Sequence, residues 1–135
     1  MYLVDTCVVS EARRRTPQAV AWLRAAQSDA LFLSAITIGE IMKGVTMKLR
    51  TDPPAAAVLR RWLDELRLAY SARILPIDSA VATTWGRLMA QRTRPVVDTL
   101  ILATAQVNNK IIVTRNVSDF ADAGVEVIDP WVVMP

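Results

Sequence analysis

Short, almost wholly apolar runs alternate with longer stretches of helical periodicity, and this pattern constrains the fold more than any other feature of the chain. The runs are YLVD (2–5), LFLSA (31–35), RILPI (73–77), KIIVT (110–114) and VEVI (125–128). Each is the length of a strand, and none shows the polar–apolar alternation of a strand with one wet face. Between them, helices are expected where apolar residues recur at three- and four-residue spacing. One starts at Thr16-Pro17, a capping residue with proline behind it, and carries Val20, Trp22, Leu23 and Ala26. A second covers 37–50. A third opens at Asp52-Pro53 and runs to about Tyr70, with Val58, Leu59, Trp62, Leu63 and Leu66 on one side. A fourth is capped by Asp78 and reaches about Arg92, and a fifth, very apolar, covers 97–107. Apolar strands separated by helices predict an α/β fold: a parallel sheet of about five strands covered on both faces. In such sheets ligands bind beyond the carboxyl ends of the strands, where the strand order reverses.

The 135 residues suit one domain, 1–135. A chain of this size buries roughly two-thirds of its surface on folding and needs no disulfide or structural metal. Its single cysteine excludes an internal disulfide and a multi-cysteine zinc site. No histidine is present, which removes Ser-His-Asp and Cys-His nucleophiles, histidine-based ribonucleases and most catalytic zinc sites. The four glycines, Gly39, Gly44, Gly86 and Gly124, make neither a GxGxxG nor a GK[ST] phosphate loop. No apolar stretch reaches the ~18 residues of a membrane span, and the amino terminus lacks a signal-peptide layout, so a cytoplasmic protein without membrane contact is expected. Catalysis here must draw on carboxylates, lysines, hydroxyls or a bound ion.

Four acids stand where a strand-edge site would lie. Asp5 ends the first strand; it either turns the chain and caps a helix or is held there as a ligand. Glu40, in TIGE (37–40), fits a capping box and also the first turn of a helix that starts at the carboxyl edge. Asp98 lies at the amino end of the most apolar helix, where the helix dipole favours a carboxylate by roughly 0.3–1 kcal/mol, yet a partly buried acid calls for a partner. Asp119, in TRNVSDF (114–120), fits the first turn of a short helix capped by Asn116. Separately, all four are adequate caps. Together they would repel: two unit charges 4 Å apart cost about 4 kcal/mol at an effective dielectric of 20. Either some are protonated or a cation sits among them, and oxygen ligands suit Mg²⁺ or Mn²⁺.

The order and spacing of five segments resemble the PIN-domain ribonucleases, and among these the VapC-type toxins of bacterial toxin–antitoxin pairs. The segments are YLVDTCVVSE at the start, SAITIGEIMKG (34–44), VVDTLILATA (96–105), VTRNVSDF (113–120) and VEVIDPW (125–131). The resemblance implies a three-layer α/β/α domain and metal-dependent cleavage of RNA phosphodiester bonds by an activated water, leaving a 5′-phosphate and a 3′-hydroxyl. It places Asp5, Glu40 and Asp98 at the three core acidic ligands for Mg²⁺, with Mn²⁺ as a substitute. Many members carry an aspartate where this chain has Asn116; here Asp119 would supply the fourth carboxylate. Thr6 would hold Asp5 through its hydroxyl, while Thr114, Arg115 and Asn116 would orient ligands or phosphate. The resemblance also implies a homodimer and a small DNA-binding antitoxin seated on the helical hairpin over 37–70.

Net charge is +3, a weak hint of an anionic partner. Lys43, Lys48, Arg50, Arg92, Arg94 and Arg115 flank the acids and could track RNA phosphates, as could Arg13-Arg14-Arg15; solvated helix faces explain each equally well. No basic patch interleaved with aromatics marks a stacking platform in the sequence. Two other readings use acids at strand ends or the same fold. A receiver or phosphatase-like domain would need a second acid near position 7, where Cys7 stands, or a lysine at the carboxyl end of a late strand, where Lys110 is at the wrong end. A catalytically silent PIN-like module would bind RNA or protein without a metal.

Overall fold

The computed structural model describes residues 1–132; positions 133–135 lie outside the described residues. Five strands, β1 (Tyr2–Val4), β2 (Leu31–Ser34), β3 (Ile74–Leu75), β4 (Ile111–Val113) and β5 (Val127–Ile128), form one sheet in the order β3-β2-β1-β4-β5. Every pairing is parallel. Successive side chains of a strand point to opposite faces, and this sorts the core into two halves. Leu3 and Ile112 pack with Val81, Leu88, Leu102 and Phe120 on one face. Val4, Val113, Leu31 and Leu33 pack with Val8, Val9 and Ala19 on the other. Both faces need covering, which is why the strands read as apolar throughout.

Six helices provide the cover: α1 (Thr6–Arg13), α2 (Pro17–Ala25), α3 (Ala35–Leu49), α4 (Pro53–Ala69), α5 (Ser79–Gln91) and α6 (Val96–Val107). The expected α/β/α architecture is what the chain adopts. Asp52 and Asp78 cap α4 and α5 through their side chains, accepting from the N–H groups of Ala55 and Val81. Thr16 precedes α2 but makes no side-chain cap bond there; its hydroxyl donates back to Glu11.

The structure departs from the expected elements in four places. Helix α1 follows β1 directly, in a stretch whose β-branched residues gave no helical signal. Helix α3 starts at Ala35, and its cap is Ser34, which accepts from the N–H of Ile36. Thr37 and Glu40 therefore form no capping box, and Glu40 lies in the second turn instead of the first. Strand β3 is two residues long because Pro76 offers no N–H to continue the ladder. Val58, expected on the packed side of α4, is 55% exposed, whereas Leu63 of the same helix is fully buried.

The order of strands sets the location of a site. The chain runs from β1 outward through β2 to β3, then returns to β4 on the other side of β1. The reversal therefore falls between β1 and β4, and Asp5 and Thr114 are the residues that follow these two strands.

Candidate active site

Asp5 caps α1 and lines the strand edge at the same time, so the two readings of this residue are not alternatives. Its N–H still belongs to the sheet, donating to the carbonyl of Val113 at 2.9 Å. Its carboxylate is only 3% exposed and is held from both sides. Oδ1 accepts from the N–H of Thr6 at 2.8 Å, and Oδ2 accepts from the hydroxyl of Thr114 at 2.7 Å and the thiol of Cys7 at 3.3 Å. Thr114 in turn accepts from the N–H of Asn116 at 3.0 Å, so the loop after β4 fixes the donor that fixes Asp5.

Glu40 reaches the same edge from α3. The hydroxyl of Thr6 donates to its Oε1 at 2.6 Å. The hydroxyls of Thr6 and Thr37 lie 2.9 Å apart. A hydroxyl carries one proton, so with Thr6 donating to the carboxylate, Thr37 donates to Thr6. Thr6 thus holds Asp5 by its backbone and Glu40 by its side chain, where the sequence suggested a hydroxyl bond to Asp5.

Asp98 enters in the first turn of α6 and Asp119 in the 3-10 turn Val117–Phe120, which packs against α6. Burial pushes the Asp98 carboxyl up to about 7, and the charges of Asp5, Asp119 and Glu40 add to the shift. Asp5, Glu40 and Asp119 are therefore all within electrostatic reach of Asp98. They do not stand in a closed cage: among the described residues no three acidic or cysteine side chains are gathered tightly enough to hold a cation as they are. Crowded negative charge is raised in energy whether or not oxygens touch, and here Asp98 responds by retaining its proton near neutrality. An all-oxygen donor set of this kind, with excess negative charge, fits a hard divalent cation.

Cys7 and Thr37 are site neighbours that the sequence did not single out. Thr37 could have been found as the residue one turn before Glu40 on the same helix face. Burial, then the charge of Asp5, push the Cys7 thiol up to about 11, so it serves as an S–H donor and not as a nucleophile. Asn116 is exposed and precedes the 3-10 turn without a side-chain cap bond. Arg115 is exposed, with its guanidinium over the Trp131 ring at 4.8 Å. Arg94 is not a surface residue: it is 5% exposed, and its Nε and Nη1 find no hydrogen-bond partner. Lys110 precedes β4, at the amino edge of the sheet, with its ammonium 4.4 Å from the centre of the Phe32 ring, and Asp78 caps α5. Among the described residues, the late-strand lysine of a receiver site is thus absent from this edge.

A three-layer α/β/α domain with carboxylates beyond the carboxyl ends of its parallel strands defines a class of α/β proteins with an acidic strand-edge site. Within that class the chain belongs to the PIN domain family, whose profile matches residues 2–125. It is 33% identical over 138 residues to a protein of Sinorhizobium fredii named "VapC ribonuclease Y4jK", covering 97% of this chain and 98% of that one. The crystal structure of FitAcB from Neisseria gonorrhoeae superposes with a TM-score of 0.89 at 32% identity, covering 98% of this chain and all of the other. A toxin–antitoxin complex from Klebsiella pneumoniae matches with a TM-score of 0.75 at 25% identity, over 98% of this chain and 100% of its counterpart.

Proposed function

We propose that the protein is a metal-dependent endoribonuclease and the toxin half of a toxin–antitoxin pair. The observation that supports this reading is that the charges of Asp5, Glu40 and Asp119, carried on three separate segments, all bear on the half-buried Asp98 carboxyl. The relative named as a ribonuclease, aligned over nearly its whole length, supports the same activity. In this reading the four acids hold Mg²⁺ or Mn²⁺. When bound, the ion supplies an activated water and a counter-charge for the phosphate.

The remaining work falls to the chain's own groups. Thr6 and Thr114 aim the oxygens of Glu40 and Asp5 and keep them from rotating. The backbone of Asn116 holds Thr114 in place. The Asp98 carboxyl, held up to about 7 by burial first and by the charges of its acidic neighbours second, would ionise more readily with a cation among the acids. The Cys7 thiol and the apolar faces of β1 and β4 keep Asp5 away from bulk water.

The partners follow from the same reading: single-stranded RNA as substrate, a small DNA-binding antitoxin as inhibitor, and a homodimer. The Klebsiella pneumoniae match is titled a toxin–antitoxin complex, which supports the antitoxin. Met47, Leu49, Val58 and Leu68 on the α3–α4 hairpin are exposed apolar side chains that suit a protein contact. A broad groove of about 1060 Å³ beside α2 and α4, with Leu23, Trp62 and Tyr70 in its walls, would seat an apolar antitoxin segment.

Antitoxin-free protein incubated with a labelled mixed RNA pool tests the activity. Cleavage that requires Mg²⁺ or Mn²⁺, stops in EDTA and is lost in Asp5→Asn is the expected result. Cleavage that persists in EDTA, or in Asp5→Asn, would remove the acids from the chemistry.

A further inference from the structure

A polar pocket of about 200 Å³ opens beside the acids, between α1, α3 and α4. Thr6, Glu40, Arg13, Arg14, Gly44 and Trp62 are among the residues that line it. The Arg13 guanidinium lies over the half-buried Trp62 ring, 5.7 Å from its centre. Arg14 pairs with Glu11 at 3.4 Å, an exposed contact that holds it only weakly. At Gly44 a Cβ would meet the Leu59 Cδ2 at 3.9 Å, an ordinary van der Waals contact, so a side chain can enter the pocket there without a clash at its Cβ.

We propose that this pocket is a subsite for the nucleotide next to the scissile phosphate, its base packed along Trp62 and Gly44 and its own phosphate met by Arg13 and Arg14. The inference rests on the ribonuclease reading, because it places the pocket one nucleotide from Glu40. Three features favour a nucleotide over a peptide side chain. A flat indole offers stacking to any base. Guanidinium groups pair with phosphate in a fork and also stack on planar rings, so Arg13 can leave Trp62 for a phosphate while the base takes its place. An anionic strand approaching the carboxylates also needs positive charge on its path, and these two arginines line the same pocket as Glu40. Trp62 and the arginines are far apart in the sequence, so this pairing of aromatic and basic residues exists only in the fold.

Binding, measured separately from cleavage, tests the subsite. A short fluorescein-labelled single-stranded RNA of mixed sequence is titrated with Asp5→Asn protein and followed by anisotropy. Trp62→Leu and Gly44→Met, each added to Asp5→Asn, are expected to weaken binding about tenfold or more, the loss of one base stack. Gly44→Met fills the pocket, keeps every charge and improves helix propensity, so its loss of affinity cannot be put down to unfolding; the urea midpoint checks this. Arg14→Gln is expected to weaken binding and reduce the slope of log affinity against log salt by about one. Unchanged RNA affinity in folded Trp62→Leu and Gly44→Met protein overturns the proposal. So does a loss confined to antitoxin binding, which would make the pocket part of a protein groove. If wild-type protein cleaves RNA while both variants bind normally, the subsite alone fails. If Asp5→Asn binds no RNA and wild-type protein cleaves none, the ribonuclease reading fails with it.

Discussion

Thr6 is the residue on which the acid cluster turns. Its N–H holds Asp5 and its hydroxyl holds Glu40, joining β1 to α3 across the carboxyl edge. Thr6→Val keeps the shape and the N–H but leaves Glu40 without its donor. Groups that orient ligands in this way are typically worth about 10–100-fold in metal affinity or activity. We expect Thr6→Val to lose that much cleavage while its far-ultraviolet circular dichroism is unchanged; full activity would show that Glu40 needs no support. Asp98 makes a pH prediction. Its carboxyl titrates near 7 in the folded protein against an ordinary value of 3.8. The native state therefore keeps a proton that the unfolded chain releases. This contribution to stability is fully present below about 4 and is lost as pH rises through about 7. Urea midpoints of metal-free protein should fall across that range and should fall less in Asp98→Asn; parallel curves would show that Asp98 is not raised. Arg94 gives a third test, because burying guanidinium nitrogens without partners, as its Nε and Nη1 are among the described residues, is costly. Arg94→Met keeps the apolar stem and is expected to match or exceed wild-type stability in a urea melt. A loss beyond about 1 kcal/mol would mean that Arg94 is satisfied in solution.

At the scale of elements, the site depends on abrupt junctions between strands and helices. β1 gives way to α1 at Asp5, and β2 to α3 at Ser34, with no loop between them. A side chain at such a junction inherits the rigidity of both elements, which is how a three-residue strand can position a carboxylate. Ser34→Ala removes the cap of α3 and is expected to cost about 1 kcal/mol by chemical denaturation, with a drop in cleavage because Glu40 rides on that helix. An unchanged melt would show that Ser34 is not needed as a cap. These junctions also decide what the sequence could reveal. The apolar runs and the Asp52 and Asp78 caps are local signals, and the elements that depend on them were legible. Helix α1 was not, because Val8 and Val9 are poor helix formers held in place by burial against the sheet. The start of α3 was misplaced because Thr37 and Glu40 match a capping box in sequence while each bonds to Thr6 across the fold. The four acids could be read from position along the chain. The bond from Thr114 to Asp5 could not, since the two meet only once β4 lies beside β1, and the burial of Arg94 leaves no trace in its neighbours' identities.

For the whole molecule, the sheet order brings negative charge to one edge of a chain whose net charge is +3. Arg13 and Arg14 line the pocket beside Glu40, so positive charge stands next to the acids. We propose that the four acids make a single cation site. Its most direct test is a calorimetric titration of Mn²⁺ into metal-free protein near pH 7, in two buffers of different ionisation heat. The account predicts binding with proton release, release much reduced in Asp98→Asn, and affinity lost in Asp5→Asn. Equal Mn²⁺ affinity in the wild-type and Asp5→Asn proteins would contradict it.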